Sequence, residues 1–203
     1  WMTYLGRCQW LLQQGRPVED YAVYAGDRPY MNWGSYTDKP YDSSKAKLPK
    51  GYTYDGVNDY ALLNRFTMKD GRLTLPEGIS YGALVWDPEF ADEPLNAQVL
   101  AKIESFKQAG LKVVPAAQAA TAVAGLVPDY EGPFGAAHRR DGATDIYFVA
   151  GTGAGTMTFR EKVAGRAVEV WNPLTGMRAA ADFASRADGR TDVKLDLPKD
   201  GSA

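Results

Sequence analysis

The sequence predicts a mixed α/β protein, in which a Rossmann- or flavodoxin-like domain with a parallel sheet is followed by an antiparallel β-sandwich domain. Two observations predict this order. As far as Ala136, short apolar runs alternate with helical patterns, which is typical of βαβ units. Beyond it, short strand-like runs separated by glycine turns follow one another closely, as in a sandwich. We therefore predict domains at 1–136 and 137–203, and we expect the sandwich to be truncated.

Length and charge narrow the functions before any motif is considered. The 203 residues suffice for two domains, because domains commonly have about 100 to 150 residues. Apolar residues make up 45% and charged residues 24%, as in ordinary folded proteins. The net charge of -2 gives no cationic field for nucleic acid or anionic lipid, and no apolar run nears the roughly 20 residues of a membrane helix. We therefore predict neither a nucleic-acid nor a membrane partner.

A helix is predicted at the start of the chain, because apolar residues from Tyr4 to Leu12 recur at helical spacing and Gly15 follows as a cap. Cys8 is the one cysteine and lies on the apolar stripe. We expect it to be buried, and a single cysteine excludes an internal disulfide. The apolar run 21–25 then predicts a buried strand of a parallel sheet.

The rest of the first domain follows a regular alternation. A short helix is expected to begin near Asn58, and Asp70 with Gly71 predicts the turn of a hairpin. An apolar strand at 83–86, a helical pattern at 96–108 and a second strand at 111–115 then form a strand–helix–strand unit.

The second domain is predicted from alternating strand patterns with glycine turns between them. The predicted strands are 145–150, 156–160, 167–171 and 191–197.

Several motifs combine uncommon residue types in a fixed order. The run GYTYDGVN at 51–58 continues through LLNR at 62–65 to KDGRL at 69–73, and YLGRCQWLLQQG at 4–15 and DIYFV at 145–149 accompany it. Together these segments resemble the large bacterial α-L-rhamnosidase family of glycoside hydrolases, over nearly the whole chain. They are similar to the region that follows the catalytic barrel in that family.

This resemblance implies a supporting role. The catalytic acids of the family belong to the barrel, which would precede Trp1, so the chain would inherit no catalytic residue and both of its ends would be cut. The missing barrel of the parent chain and a carbohydrate substrate are the implied partners. The parent reaction would be hydrolysis of terminal rhamnose from glycans, and the parent is expected to be periplasmic or secreted.

Tyr54, Asp55 and Asn58 are the first candidates for the rim of a substrate cleft. They offer an aromatic face for a sugar ring and polar groups for its hydroxyls. Asp and Asn before a helix are also common capping residues, and the pattern favours capping and loop packing over sugar contact.

Two further groups are candidates. His138 and Arg139, with Arg140, form a compact polar cluster near the predicted domain junction, for which an interdomain ion-pair role is favoured over a place at the substrate rim. A second group, in a long loop without apolar period, would offer aromatic rings for sugar stacking or would pack under loops: Trp33, Tyr36 and Tyr41.

A serine esterase is a competing hypothesis. Gly78 to Gly82 match the nucleophile-elbow pattern around Ser80, and His138 lies downstream as in such enzymes. An elbow requires a strand before the serine and a helix after it, whereas here a predicted strand follows. The sequence therefore favours a glycine-rich turn that enters a strand.

Cofactor and metal sites are not predicted. The glycines of 151–155 do not have the spacing of a phosphate loop, and an alternating pattern follows where a helix is required, so a flexible hairpin connection is expected there. One histidine and one cysteine far apart do not form a zinc site, although carboxylate-only calcium sites remain open. A stand-alone carbohydrate-binding module is the remaining alternative function.

Overall fold

The computed structural model describes residues 1–24, 26, 48–86 and 96–203. The protein is a mixed α/β structure with one parallel sheet and several antiparallel sheets. It divides into two compact units, which are described separately: Glu19–Leu126, here the parallel unit, and Trp1–Val18 with Val127–Ala203, here the antiparallel unit. Among the described helices, none has the length and apolar character needed to span a membrane.

The described elements are, in chain order, α1 (Met2–Leu12), β1 (Arg16–Pro17), β2 (Tyr21–Tyr24), β3 (Tyr54–Val57), α2 (Asp59–Asn64), β4 (Thr67–Lys69), β5 (Arg72–Thr74), β6 (Ser80–Tyr81), β7 (Ala83–Trp86), α3 (Ala97–Gln108), β8 (Lys112–Pro115), a 3-10 turn (Ala116–Gln118), α4 (Ala119–Ala122), β9 (Tyr130–Glu131), β10 (Gly135–Asp141), β11 (Thr144–Phe159), β12 (Glu169–Trp171), β13 (Arg178–Ala180), β14 (Asp182–Ser185) and β15 (Thr191–Ser202).

The parallel unit is built on a four-stranded sheet in the order β3-β2-β7-β8, with every pair parallel. All four residues of β2 are buried. Because side chains alternate across a strand, Ala22 and Tyr24 enter one apolar cluster, with α2 and α3, whereas Tyr21 and Val23 enter another, with α4. Both faces of the sheet are therefore covered, which explains the continuous apolar runs of its strands.

A small antiparallel sheet of β4, β5 and β6 lies in the same unit. The turn between β4 and β5 places Asp70 at φ 52° and Gly71 at φ 73°. A two-residue hairpin turn with two positive φ values suits Asp-Gly, because aspartate tolerates the left-handed region and glycine favours it. The predicted hairpin is confirmed.

The antiparallel unit contains a larger sheet in the order β1-β10-β11-β15-β14, to which β9 adds by pairing with β11. A separate two-stranded sheet joins β12 and β13. The core of the unit includes Phe134, Met157 and Val193. Helix α1 belongs to this unit and buries Cys8, as predicted.

The segment 151–155 differs from its prediction. Instead of a flexible connection between two strands, it lies inside the 16-residue strand β11, with a register shift between Gly151 and Gly153. The physical reason is close packing: a Cβ at Gly151 would clash with the ring of Phe134, and one at Gly155 would clash with Pro133. The glycines therefore admit neighbouring side chains rather than a turn.

The structure groups the residues differently from a linear division at Ala136. That residue lies within β10, and residues 1–18 cluster with 127–203. The reason is pairing across the predicted boundary, since β1 adds to the edge of β10. Such pairing leaves no signal in the local pattern of either segment.

Candidate functional site

Asn58 is a helix cap. Its side-chain oxygen accepts a hydrogen bond from the backbone N–H of Ala61 at 2.9 Å, at the start of α2. This satisfies one of the amides that the first helical turn leaves without a partner. The capping role that the sequence favoured is confirmed.

Tyr54 and Asp55 point to opposite sides of β3 and have different neighbours. The ring of Tyr54 stacks on that of Tyr21, with centroids 5.4 Å apart. Asp55 accepts a hydrogen bond of 2.7 Å from the hydroxyl of Tyr81, a residue that is 1% exposed. Burial, and then the hydrogen bond to Asp55, raise the pKa of Tyr81, so its hydroxyl stays protonated as a donor. Sugar contact by Tyr54, Asp55 and Asn58 stays a prediction.

A second tyrosine–carboxylate pair lies in the parallel unit. The hydroxyl of Tyr24, at the end of β2, donates to Asp59 at 2.5 Å. Asp59 is the first residue of α2, where a negative charge interacts favourably with the helix dipole. The sequence did not point to this pair, because its partners are 35 residues apart.

His138 is the centre of a polar network in the antiparallel unit, here the histidine network. It is 2% exposed. Its Nδ1 lies 2.9 Å from Oδ1 of Asp129, and its Nε2 lies 3.2 Å from Oδ1 of Asp145. The imidazole stacks on the ring of Tyr147 with centroids 4.0 Å apart. Each ring nitrogen of His138 thus lies within hydrogen-bond distance of an aspartate carboxylate.

Asp129 is completely buried and is the most heavily used acceptor of the network. Its Oδ1 receives hydrogen bonds from His138, from the hydroxyl of Tyr147 at 3.2 Å and from Nη2 of Arg160 at 3.0 Å. Its Oδ2 is buried and accepts no hydrogen bond from the residues that the structure describes. Burial, followed by the charge of Asp129, raises the pKa of the Tyr147 hydroxyl, which therefore acts as a donor.

Asp145 links the buried histidine to the surface. It accepts from Arg140 at 2.7 Å and from Arg166 at 2.9 Å, besides His138. Burial opposes ionisation, but the hydrogen bonds from Arg140, Arg166 and His138 outweigh it and lower the pKa of Asp145. Arg140 also pairs with Glu161 at 2.6 Å. Its own burial is outweighed by Asp145 and Glu161, so its pKa is raised.

Arg139 has a separate role in the same unit. Its Nε donates to the carbonyl of Gln14 at 2.7 Å and its Nη2 to that of Gly15 at 2.9 Å. These carbonyls follow α1, and Gly15 has φ 55° with no room for a Cβ beside Arg140. The cluster thus joins segments on either side of the predicted boundary, but all its contacts lie within one compact unit. A place for His138 or Arg139 at a substrate rim stays a prediction.

The histidine network contains residue types that can ligate a metal ion, but arginine side chains beside them add positive charge. His138, Asp145 and Glu161 place ligand atoms within 4.8 Å of one another. Arg140 and Arg166, however, already occupy the carboxylate oxygens of Asp145. Two guanidinium groups beside the ligands would repel a divalent cation, so the arrangement suits a structural ion-pair network.

Ser80 does not lie on a nucleophile elbow. It belongs to β6, which is followed by Gly82 and the strand β7 rather than by a helix. Its hydroxyl accepts a hydrogen bond from Nε of Arg72 at 3.0 Å. Both ring nitrogens of His138 are bonded to aspartates, so the histidine of the esterase hypothesis is occupied elsewhere.

Three aromatic candidates lie outside the part of the chain that the structure describes. Some members of the histidine network were also not predicted from the sequence. Trp33, Tyr36 and Tyr41 lie outside the described residues. Asp129 was not singled out as the partner of His138, nor Arg160 as the partner of Asp129, because these contacts depend on β9 pairing with the end of β11. The one available signal was that a lone histidine, if buried, requires polar partners.

One family model and two known proteins match this chain. The model of the alpha-L-rhamnosidase family matches residues 1–127. A protein of Formosa agariphila (strain DSM 15362 / KCTC 12365 / LMG 23005 / KMM 3901 / M-2Alg 35-1), named "Putative beta-glucuronidase", is 30% identical over 117 residues, which are 56% of this chain and 9% of that protein.

A solved rhamnosidase from Novosphingobium sp. PP1Y has the same fold. It aligns with 100% of this chain at a TM-score of 0.78, and the aligned part is 24% of its own chain. At 22% identity the likeness shows the fold alone. This chain thus spans only a small part of the proteins that it matches.

Proposed function

The chain belongs to the alpha-L-rhamnosidase family, and on this premise we propose that it is an accessory region of a larger glycoside hydrolase that removes terminal rhamnose from glycans. It supports a catalytic barrel and lacks the catalytic acids. The observation that carries the proposal is the fold likeness, in which the whole chain aligns with 24% of a rhamnosidase chain.

The use of carboxylates in the described residues supports a non-catalytic role. Glycoside hydrolysis requires two carboxyl groups on opposite sides of a sugar, about 5 to 9.5 Å apart. The two buried aspartates serve the fold instead: Asp20 accepts the amide of Thr53, and Asp129 binds three side chains of the histidine network. Asp55 and Asp145 are likewise engaged by tyrosine and arginine partners.

We also propose finer assignments for the two units. Numbered by chain order within the sheet, the strands β3-β2-β7-β8 are arranged 2-1-3-4, which is the order of a flavodoxin-like sheet. The antiparallel unit, with one large sheet and the separate β12–β13 pair, is proposed to be an incomplete β-sandwich.

The proposal is tested by deletion and complementation. The full-length product of the reading frame that encodes this chain is compared with a variant that lacks residues 1–203, using p-nitrophenyl α-L-rhamnoside as the substrate. We expect the deletion to abolish most of the turnover, and the purified 203-residue chain to restore part of it when added separately. Full activity of the deletion variant would contradict the proposal.

A further inference from the structure

The antiparallel unit contains a cleft that none of the roles above uses. It lies between helix α1 and the β12–β13 hairpin and has a volume of about 590 Å³. Sites for small ligands commonly have about 300 to 1,000 Å³, with mostly apolar walls and a few polar groups. The cleft has both properties, since tryptophans and arginines face it together.

The aromatic walls of the cleft are Trp10 and Trp171. Trp10 is 58% exposed although it lies in a helix. Trp171 is held in place from two directions: its indole N–H donates to Glu169 at 2.8 Å, and the guanidinium of Arg178 lies 5.1 Å from its ring centroid. The exposed indole of Trp10 offers a face on which the apolar face of a sugar ring can pack.

The charged side chains of the cleft have one sign. Arg7 and Arg178 line it, and none of the lining residues that the structure describes has an acidic side chain, although the chain as a whole has a net charge of -2. Arg7 donates to the carbonyls of Pro173 and Leu174, so it orders the hairpin loop. The guanidinium of Arg178 donates no hydrogen bond to the groups that the structure describes and contacts the ring of Trp171. Its five N–H donors therefore remain for an anionic ligand.

The hairpin loop beside the cleft is fixed in advance. Gly176 has φ 78°, and a Cβ there would lie 2.8 Å from Cζ of Arg7. Asn172 accepts the amides of Leu174 and Thr175 through its Oδ1, at 2.9 and 3.1 Å. A loop that is ordered before binding loses less conformational entropy when a ligand arrives.

From the aromatic face of Trp10 and the guanidinium of Arg178, we propose that this cleft binds an acidic oligosaccharide through a uronate residue. The uronate carboxylate pairs with the guanidinium of Arg178, and the apolar face of the sugar lies on Trp10. A carboxylate suits this cation because the planar guanidinium offers two parallel N–H donors to its two oxygens. The inference stands apart from the supporting role, because it requires only the residues of the antiparallel unit.

Calorimetric titration of the 203-residue chain tests the inference. The probes are digalacturonate and its dimethyl ester, which has the same rings without the charges, each titrated to about 10 mM so that weak binding is detected. We expect digalacturonate to bind and the ester to bind at least about tenfold more weakly. We also expect added salt to weaken the binding of digalacturonate and to leave that of the ester unchanged. Equal affinities, or no heat from either probe, would overturn the inference.

Variants assign the binding to the cleft. Arg178→Gln is expected to weaken the binding of digalacturonate about tenfold, because one charge-assisted contact is lost. The binding of the ester should not change. Trp10→Ala is expected to weaken the binding of both probes. Arg186→Gln, which removes an exposed arginine outside the cleft, is the matched control. Since Trp10 and Arg178 are exposed, circular dichroism should show that both variants fold; unchanged binding by Arg178→Gln would contradict the proposal.

Discussion

In the parallel unit, Asp55 forms an isolated pair with Tyr81, the one side chain among the described residues from which it accepts a hydrogen bond. In the antiparallel unit, His138 instead connects two aspartates that arginines and a tyrosine also bind. Removing one partner of an isolated pair loses a single hydrogen bond, whereas removing a shared acceptor leaves several groups without a partner. The comparison teaches that equal numbers of hydrogen bonds need not contribute equally to stability.

The largest effect is expected for Asp129→Ala. This change leaves His138, Tyr147 and Arg160 without their common acceptor. Breaking a buried ion pair from one side costs about 3 to 5 kcal/mol. Urea unfolding should show this loss, and Asp188→Ala, at an exposed aspartate, should change the free energy of unfolding far less, because exposed ion pairs contribute little. Similar values for both variants would show that the buried acceptor of the histidine network contributes no more to stability than an exposed aspartate of the same unit.

Tyr81→Phe should have a smaller effect. It deletes one hydroxyl that donates to Asp55 at 2.7 Å and leaves the buried ring in place. A hydrogen bond to a charged group contributes about 1.5 to 3 kcal/mol. The control is Tyr60→Phe, because Tyr60 is 64% exposed and the loss of its hydroxyl should hardly change the free energy of unfolding. A loss from Tyr81→Phe that equals the loss from Asp129→Ala would show that the isolated pair is as important as the network.

Asn58→Ala is expected to cost about 1 kcal/mol through the lost helix cap. Asn58→Ser should recover most of this free energy, because serine also accepts from the first turn of a helix. Thermal unfolding of the three proteins measures the series. If serine does not rescue the alanine variant, the importance of Asn58 lies elsewhere than in the bond to Ala61.

The pH dependence of the network should depend on Asp145. Its folded pKa is lowered from 3.8, because hydrogen bonds from Arg140, Arg166 and His138 outweigh its burial. A lowered folded pKa stabilises the fold above about pH 3.8, and this contribution disappears as the pH falls below that value. In urea titrations from pH 7 to pH 3, Asp145→Asn should therefore show a shallower acid limb than the unmodified chain.

The sequence predicted what local patterns determine. Helix α1, the cap at Asn58 and the Asp70–Gly71 hairpin each depend on residues a few positions apart, so that spacing and turn chemistry were sufficient. The alternation of strands and helices also indicated the parallel sheet, because βαβ units repeat along the chain.

Distant pairing could not be predicted in the same way. The continuity of β11 depends on Phe134 and Pro133 packing against glycines that locally indicate a turn. The partnership of His138 with Asp129 requires β9 to pair with the end of β11. These features arise from tertiary contacts, which the local pattern of a segment does not record.

The central claim is that this member of the alpha-L-rhamnosidase family supports hydrolysis without performing it. The most direct measurement is the release of p-nitrophenol from p-nitrophenyl α-L-rhamnoside by the purified 203-residue chain. We predict that the release of p-nitrophenol does not exceed that in buffer at any concentration of the chain. Release that increases with protein concentration, and that is lost when one of its own carboxylates is replaced, would contradict the claim.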